Sequence, residues 1–218
     1  MKASFVLEML REGNIETLKA IAEDEVYKES LKENGNAKNR YAAMKRFFKF
    51  VNKKVACVQS PAVGITVKGD VYNSFCDGHC FALTAESIGE ITPYNVAEHG
   101  DYLNMDKMVN LYDYKRKELI DVGKVLAKSK AQGYKFLKSE EKDFKHFIQF
   151  ENGIFRTYLV DKAFSIIDDG EKAEVYYNGA KAIMYIVTSI GIAAILPVNM
   201  KAEDKERAEA ENRIVKMI

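Results

Sequence analysis

Cys76 and Cys80 stand four residues apart in the run SFCDGHCFAL (74–83), with Asp77, Gly78 and His79 between them. Thiols and an imidazole this close in sequence could hold a metal or form a reactive nucleophile. A structural zinc site usually takes four Cys or His ligands, often arriving as two close pairs. Cys76, His79 and Cys80 could supply three. The fourth would have to be Cys57, His99 or His146, and none of these belongs to a second pair. Neighbouring side chains of a strand point to opposite faces, so His79 and Cys80 are expected to diverge. A nucleophilic cysteine needs an imidazole beside it and a third group to orient that imidazole. His79 is too near both thiols along the chain to be placed easily, which leaves His146. The sequence has no Gly-rich phosphate loop, no H-E-x-x-H and no G-x-S-x-G. The expectation is therefore no catalytic residue, no metal and no cofactor. A thiol- or metal-dependent enzyme centred on Cys76, His79 and Cys80 is the alternative.

A turn explains the same residues better. Asp77-Gly78 tolerates the positive φ of a two-residue hairpin loop, and the flanks VYNSFC and CFALTA are strand-like. The cysteines are then small apolar strand residues.

The elements around this turn follow from periodicity. The chain has 218 residues, 47% hydrophobic and 30% charged, with a net charge of +1, which is the balance of an ordinary globular protein. Asn14 can cap a helix with Ile15, Leu18, Ile21 and Ala22 on one face, ended by Gly35. In NAKNRYAAMKRFFKFVNKK, the residues Tyr41, Met44, Phe47, Phe48 and Val51 form an apolar stripe. Lys38, Lys45, Lys49 and Lys53 line the opposite side, with Arg46 beside them and no acidic residue between Lys38 and Lys54. Solvated helix faces usually mix both signs, so this one-sided face suits an anionic partner. Short β-rich runs VACVQS, VGITVK, VYNSFC and CFALTA follow, and DYLNMDKMVNLYDY then reads as a strand entering a helix. ELIDVGKVLAKSKAQ reads as a second basic helix, burying Leu119, Val122, Val125 and Leu126 and turning Lys124 and Lys128 outward.

Further on, FKHFIQFENGIFRTYL reads as a hairpin around Asn152-Gly153, and VDKAFSIIDDG as a short helix. The uncharged run 182–200 is long enough to span a bilayer. Its β-branched residues, and the Asn178-Gly179 turn before it, favour two buried strands meeting near Ser189–Gly191. Residues 201–218 read as a charged helix. The odd count of three cysteines fits a reduced, cytoplasmic setting, and Glu8 and Arg11 interrupt the signal-like start. The fold class is α+β, from two reduced helix-plus-sheet halves with helical extensions at both ends. The divisions expected are 1–36, 37–115, 116–200 and 201–218.

VYNSFCDGHCFALTAESI (71–88) resembles the segment of bacterial β sliding clamps that runs through T-D-G-H-R-L-A. In the same order, DYLNMDKMVNLYD resembles the strand and helix that follow it there. FRTYLVDKAFSIIDDGEKAEVYYNG resembles the F-x-x-x-Y-L-x-D helix and next strand, and AAILPVNM the closing strand. The resemblance implies a shortened, phage-like relative of the DNA polymerase III beta family: a non-enzymatic DNA processivity factor, acting as a homo-oligomer without a membrane. Family subunits carry three domains, and here Cys80 and Asn199 stand where arginines are usual. Residues 1–37 have no counterpart, and the family ends where this chain continues into a charged tail. Clamps encircle duplex DNA with basic helices and tether polymerases and other replication proteins through short peptides. Carried over by position, the peptide pocket would use Gly78, His79, Cys80 and Phe81 on one side and Ile195, Leu196, Pro197, Val198 and Met200 on the other. Lys45, Arg46, Lys49, Lys53, Lys124 and Lys128 would meet phosphates, without reading bases.

Overall fold

In a computed structural model of the chain, residues 3–30, 35–49, 64–67, 70–85, 109, 116–135, 145–179 and 182–218 are described. The runs VACVQS (55–60) and DYLNMDKMVNLYDY (101–114), with Lys53, Cys57 and His99, lie outside them, apart from Val109. The described chain is a mixture of helices and mainly antiparallel sheet.

Seven strands make one antiparallel sheet: β1 (Gly64–Val67), β2 (Asp70–Cys76), β3 (Cys80–Thr84), β4 (Arg116–Ile120), β7 (Ala173–Tyr177), β8 (Met184–Thr188) and β9 (Gly191–Ile195). Their spatial order is β1-β2-β3-β9-β8-β7-β4. Strands from before residue 115 therefore meet strands from after it at one line, where Cys80 faces Ile195 and Thr84 faces Gly191. A second sheet has the order β10-β5-β6, from β5 (Phe147–Phe150), β6 (Gly153–Arg156) and β10 (Ile214–Lys216), with β10 parallel to β5.

Alternation along the strands divides the large sheet into two apolar faces. Phe75, Cys80, Ala82, Ala193 and Ile195 turn toward the main core, which they share with residues of the helices. Cys76, Phe81, Leu83, Tyr185, Ile192 and Ala194 form a separate cluster on the other face.

Helices α1 (Ala3–Arg11), α2 (Ile15–Ser30), α3 (Gly35–Lys49), α4 (Val122–Ala131), α5 (Thr157–Ile167) and α6 (Ala202–Ala210) complete the described elements. In α5 every residue but Ser165 is buried, because the helix lies under the β3–β9 line and packs against α3 and α4 as well. Its Asp161 accepts from the Tyr134 hydroxyl at 3.0 Å and from Ser165 Oγ at 3.1 Å.

Several boundaries differ from the sequence expectation. Gly35 opens α3 rather than closing α2, and Ile15 and Ala22 are exposed. The second basic helix begins at Val122, because Asp121 caps it by accepting the Lys124 amide at 2.9 Å. Leu119 thus belongs to β4 and is 63% exposed rather than buried. The hairpin at 147–156 turns on Glu151-Asn152, with Glu151 at φ +50°, and Thr157-Tyr158-Leu159 belong to α5 instead of the strand. The tail is helical only to Ala210. Val215 and Met217 then bury alternate side chains, and β10 takes a place in the second sheet. The run 182–200 is the expected strand pair, and no helix among the described residues is long and apolar enough to cross a membrane.

Candidate peptide groove and basic helices

The turn joining β2 to β3 is built by Asp77. The Asp77 amide donates to the Cys80 carbonyl at 3.2 Å, while Asp77 Oδ1 accepts from the His79 and Cys80 amides, each at 3.0 Å. Gly78 and His79 are therefore the two central residues, one step later than the Asp77-Gly78 centre expected from sequence. Gly78 has φ +82°, the conformation that glycine adopts at the first central position of such loops.

Asp77 Oδ2 pairs with Lys162 Nζ of α5 at 2.5 Å, and both side chains are almost fully buried, at 4% and 3%. The same ammonium lies 4.1 Å from the centre of the Phe47 ring of α3. Phe47 in turn meets Phe75 of β2 edge-on at 5.7 Å. Burial alone would raise the Asp77 carboxyl. The Lys162 charge and hydrogen bond and the two turn amides outweigh it and hold the carboxyl below its ordinary value.

The two thiols do not cooperate. Cys76 belongs to the outer cluster and Cys80 to the main core, on opposite faces of the sheet. His79 is exposed at the tip of the turn. Burial, and then the Asp77 carboxylate, push the Cys80 thiol well above its ordinary value, which disfavours a thiolate. Among the described residues no three Cys, His, Asp or Glu side chains are grouped to hold a metal. Burial and then Asp77 also push the Tyr158 phenol up to about 12.

The stretch after β9 runs across the turn. The Leu196 amide donates to the His79 carbonyl at 3.0 Å, and the Val198 amide to Ile154 of β6 at 2.7 Å. A cavity of about 50 Å³ lies on its β3 side, lined by Cys76, Gly78, His79, Cys80, Phe81, Ile183, Ala194 and Leu196. On its β6 side is an open cavity of about 390 Å³, lined by Asn152, Ile154, Pro197, Val198, Asn199, Met200 and Lys205. Eight of the nine residues expected at a pocket thus line these two adjoining hollows. Ile195 is the ninth, and it is fully buried in the main core beneath them. Lys205 of α6 has no signal in the sequence that would place it at this wall.

On α3, Lys38, Lys45 and Arg46 are exposed while Tyr41, Met44 and Phe47 are buried, with Lys45 Nζ 4.5 Å above the Tyr41 ring. Lys53 and the side chain of Lys49 lie outside the described residues. Arg40 is buried and donates to the Asp168 carbonyl at 2.9 Å, tying α3 to the end of α5. On α4, Lys124 and Lys128 are exposed, and Lys124 pairs with Asp121 at 3.0 Å. The structure gives both basic helices a seat on α5.

No family model matches the chain. No curated protein matches it significantly. Among solved structures it is similar to a crystal structure of a protein provisionally assigned as a DNA polymerase III beta subunit, from Eubacterium rectale ATCC 33656. Identity is 15% and the TM-score 0.48, over 74% of this chain and 63% of that one, so the chain spans under two thirds of that protein's length.

Proposed function

We propose that the chain is a sliding-clamp-like DNA processivity factor. It binds duplex DNA non-specifically through α3 and α4, and tethers DNA polymerase or other replication proteins by short peptide segments. The observation that carries this reading is the groove. The D-G-H turn and the stretch Leu196–Met200, distant in sequence and each clamp-like in its residues, meet where the β3–β9 pairing ends, through the bond from the Leu196 amide to the His79 carbonyl. In this reading Gly78, His79, Phe81 and Leu196 take one apolar side chain of the partner, and Pro197, Val198 and Met200 take the next. Cys80 and Ile195 form the floor from the core side. Lys45, Arg46, Lys49, Lys53, Lys124 and Lys128 meet phosphates. The halves 37–115 and 116–200 act as two reduced clamp domains, so three or more chains of this cytoplasmic, phage-like protein would be needed to close a ring.

Fluorescence anisotropy with a labelled duplex across a salt series tests the DNA half of the proposal. Each neutralised phosphate contributes a log–log slope of about −0.9. Reversing Lys45, Arg46, Lys124 and Lys128 to Glu should weaken binding to all sequences alike and make the slope shallower. Unchanged affinity and slope would sink the DNA reading. Light scattering tests the assembly, and a strict monomer at low salt would remove the ring.

A further inference from the structure

We propose that Lys162 is a positioning residue for the groove, acting through Asp77 to hold the Gly78-His79 turn against Leu196. The importance of the groove rests on the function proposed above, but the positioning role does not.

The turn is joined to the helix beneath it through Asp77. Asp77 is its only carboxylate, and one oxygen of that group is committed to the His79 and Cys80 amides. Lys162 holds the other oxygen from beneath the sheet. The carbonyl of His79, placed by this arrangement, then accepts the Leu196 amide and sets the wall of the smaller cavity. Lys162 lines neither cavity, so it shapes the groove without reaching a ligand there.

A lysine buried to this degree needs a reason, since an unpaired ammonium in a protein interior is strongly disfavoured. The Phe47 ring supplies a second favourable contact for the charge and fixes where along α5 the ammonium can sit. A buried pair replaced on both sides by neutral groups is often tolerated, whereas removal of one partner is costly. That asymmetry shows whether Lys162 acts through Asp77, and the place where exchange rises separates a positioning role from a merely structural one.

The test is amide hydrogen exchange, read by mass spectrometry on the full chain under native conditions. In Lys162→Met the amides of Asp77, His79, Cys80, Leu196 and Val198 should exchange roughly a hundredfold faster, while those of α4 and β5 keep their protection. In an Asp77→Asn background, where Asn can still accept the two turn amides, adding Lys162→Met should change the same amides by under about threefold. Should Lys162→Met fail to fold while the double variant folds, the dependence on Asp77 is shown all the same. Exchange that rises equally over the whole chain, an equal effect of Lys162→Met with or without Asp77, or loss of folding in both variants would overturn the proposal. These outcomes are independent of DNA or peptide binding. A groove that binds no partner while the exchange result holds would refute the functional reading and leave Lys162 in its role.

Discussion

The backbone amide of Leu196 donates to the carbonyl of His79 at 3.0 Å, joining the end of one strand to the tip of a turn far away in sequence. Its side chain is 38% exposed at the cavity that the turn helps to form. Leu196→Ala should therefore leave stability within about 1 kcal/mol of the parent in urea melts. Leu196→Pro removes the donor and should cost about 1–3 kcal/mol, because the His79 carbonyl loses its partner. If the two variants unfold at the same urea concentration, the bond contributes nothing.

Two glycines should respond in opposite directions to alanine. A Cβ on Gly191 would run into the Leu83 carbonyl and into Ile167 of α5, and backbone cannot yield cheaply there. Gly191→Ala should cost about 1–3 kcal/mol and lower Tm by several degrees. A Cβ on Gly123 meets only Asp121 Oδ1, at an ordinary 3.5 Å, on an exposed position of α4. Gly123→Ala should stabilise by up to about 1 kcal/mol, which calorimetry can check.

Acid should loosen the turn. The native Asp77 carboxyl titrates below its unfolded value of about 3.9, so between the two values the unfolded chain binds more protons. Its contribution is complete above about pH 5 and is lost as pH falls through the native value. Lys162, Tyr158 and Cys80 are the titratable groups acting with or on it. Asp77→Asn should flatten the fall of Tm below pH 4 without abolishing it, since Asp121, Asp169 and Glu174 are also lowered. An identical fall in both proteins would show that Asp77 plays no part in it.

Cys80 should be inert in the native state. With its thiol pushed well up by burial and by Asp77, iodoacetamide at pH 7.5 should modify it at least about tenfold more slowly than free cysteine. Peptide mapping identifies the modified residue. A Cys80 that reacts faster than free cysteine would bring the thiol-enzyme alternative forward.

What the sequence disclosed was mostly local. The pairing of β8 with β9 was readable because β-branched residues, Ser189 and Gly191 mark two strands and a bend within a few residues. The apolar stripe of α3 was readable in the same way from Tyr41, Met44 and Phe47. Turn centres slipped by one, at Gly78-His79 and at Glu151-Asn152, because a D-G or N-G pair marks a turn without fixing its register. β10 stayed hidden behind a run of charges, although Val215, Lys216 and Met217 alternate as a strand should. The Asp77–Lys162 pair left no local trace. A lysine within an apolar helix reads as an exposed residue until the distant carboxylate that neutralises it is in place.

The pairing of β3 with β9 also sets a schedule for the ribosome. The β2–β3 hairpin is local and can form early, yet every residue of CFALT is buried in the finished sheet. Until β9 has been translated, that strand offers one unpaired, apolar edge to solvent or to another nascent chain. The delay covers nearly half of the 218 residues, because β3 ends at Thr84 and β9 begins only at Gly191. A polysome on this message would hold several such edges side by side. A burst of synthesis should therefore make this protein dependent on holding chaperones at a stage when its finished form no longer needs them.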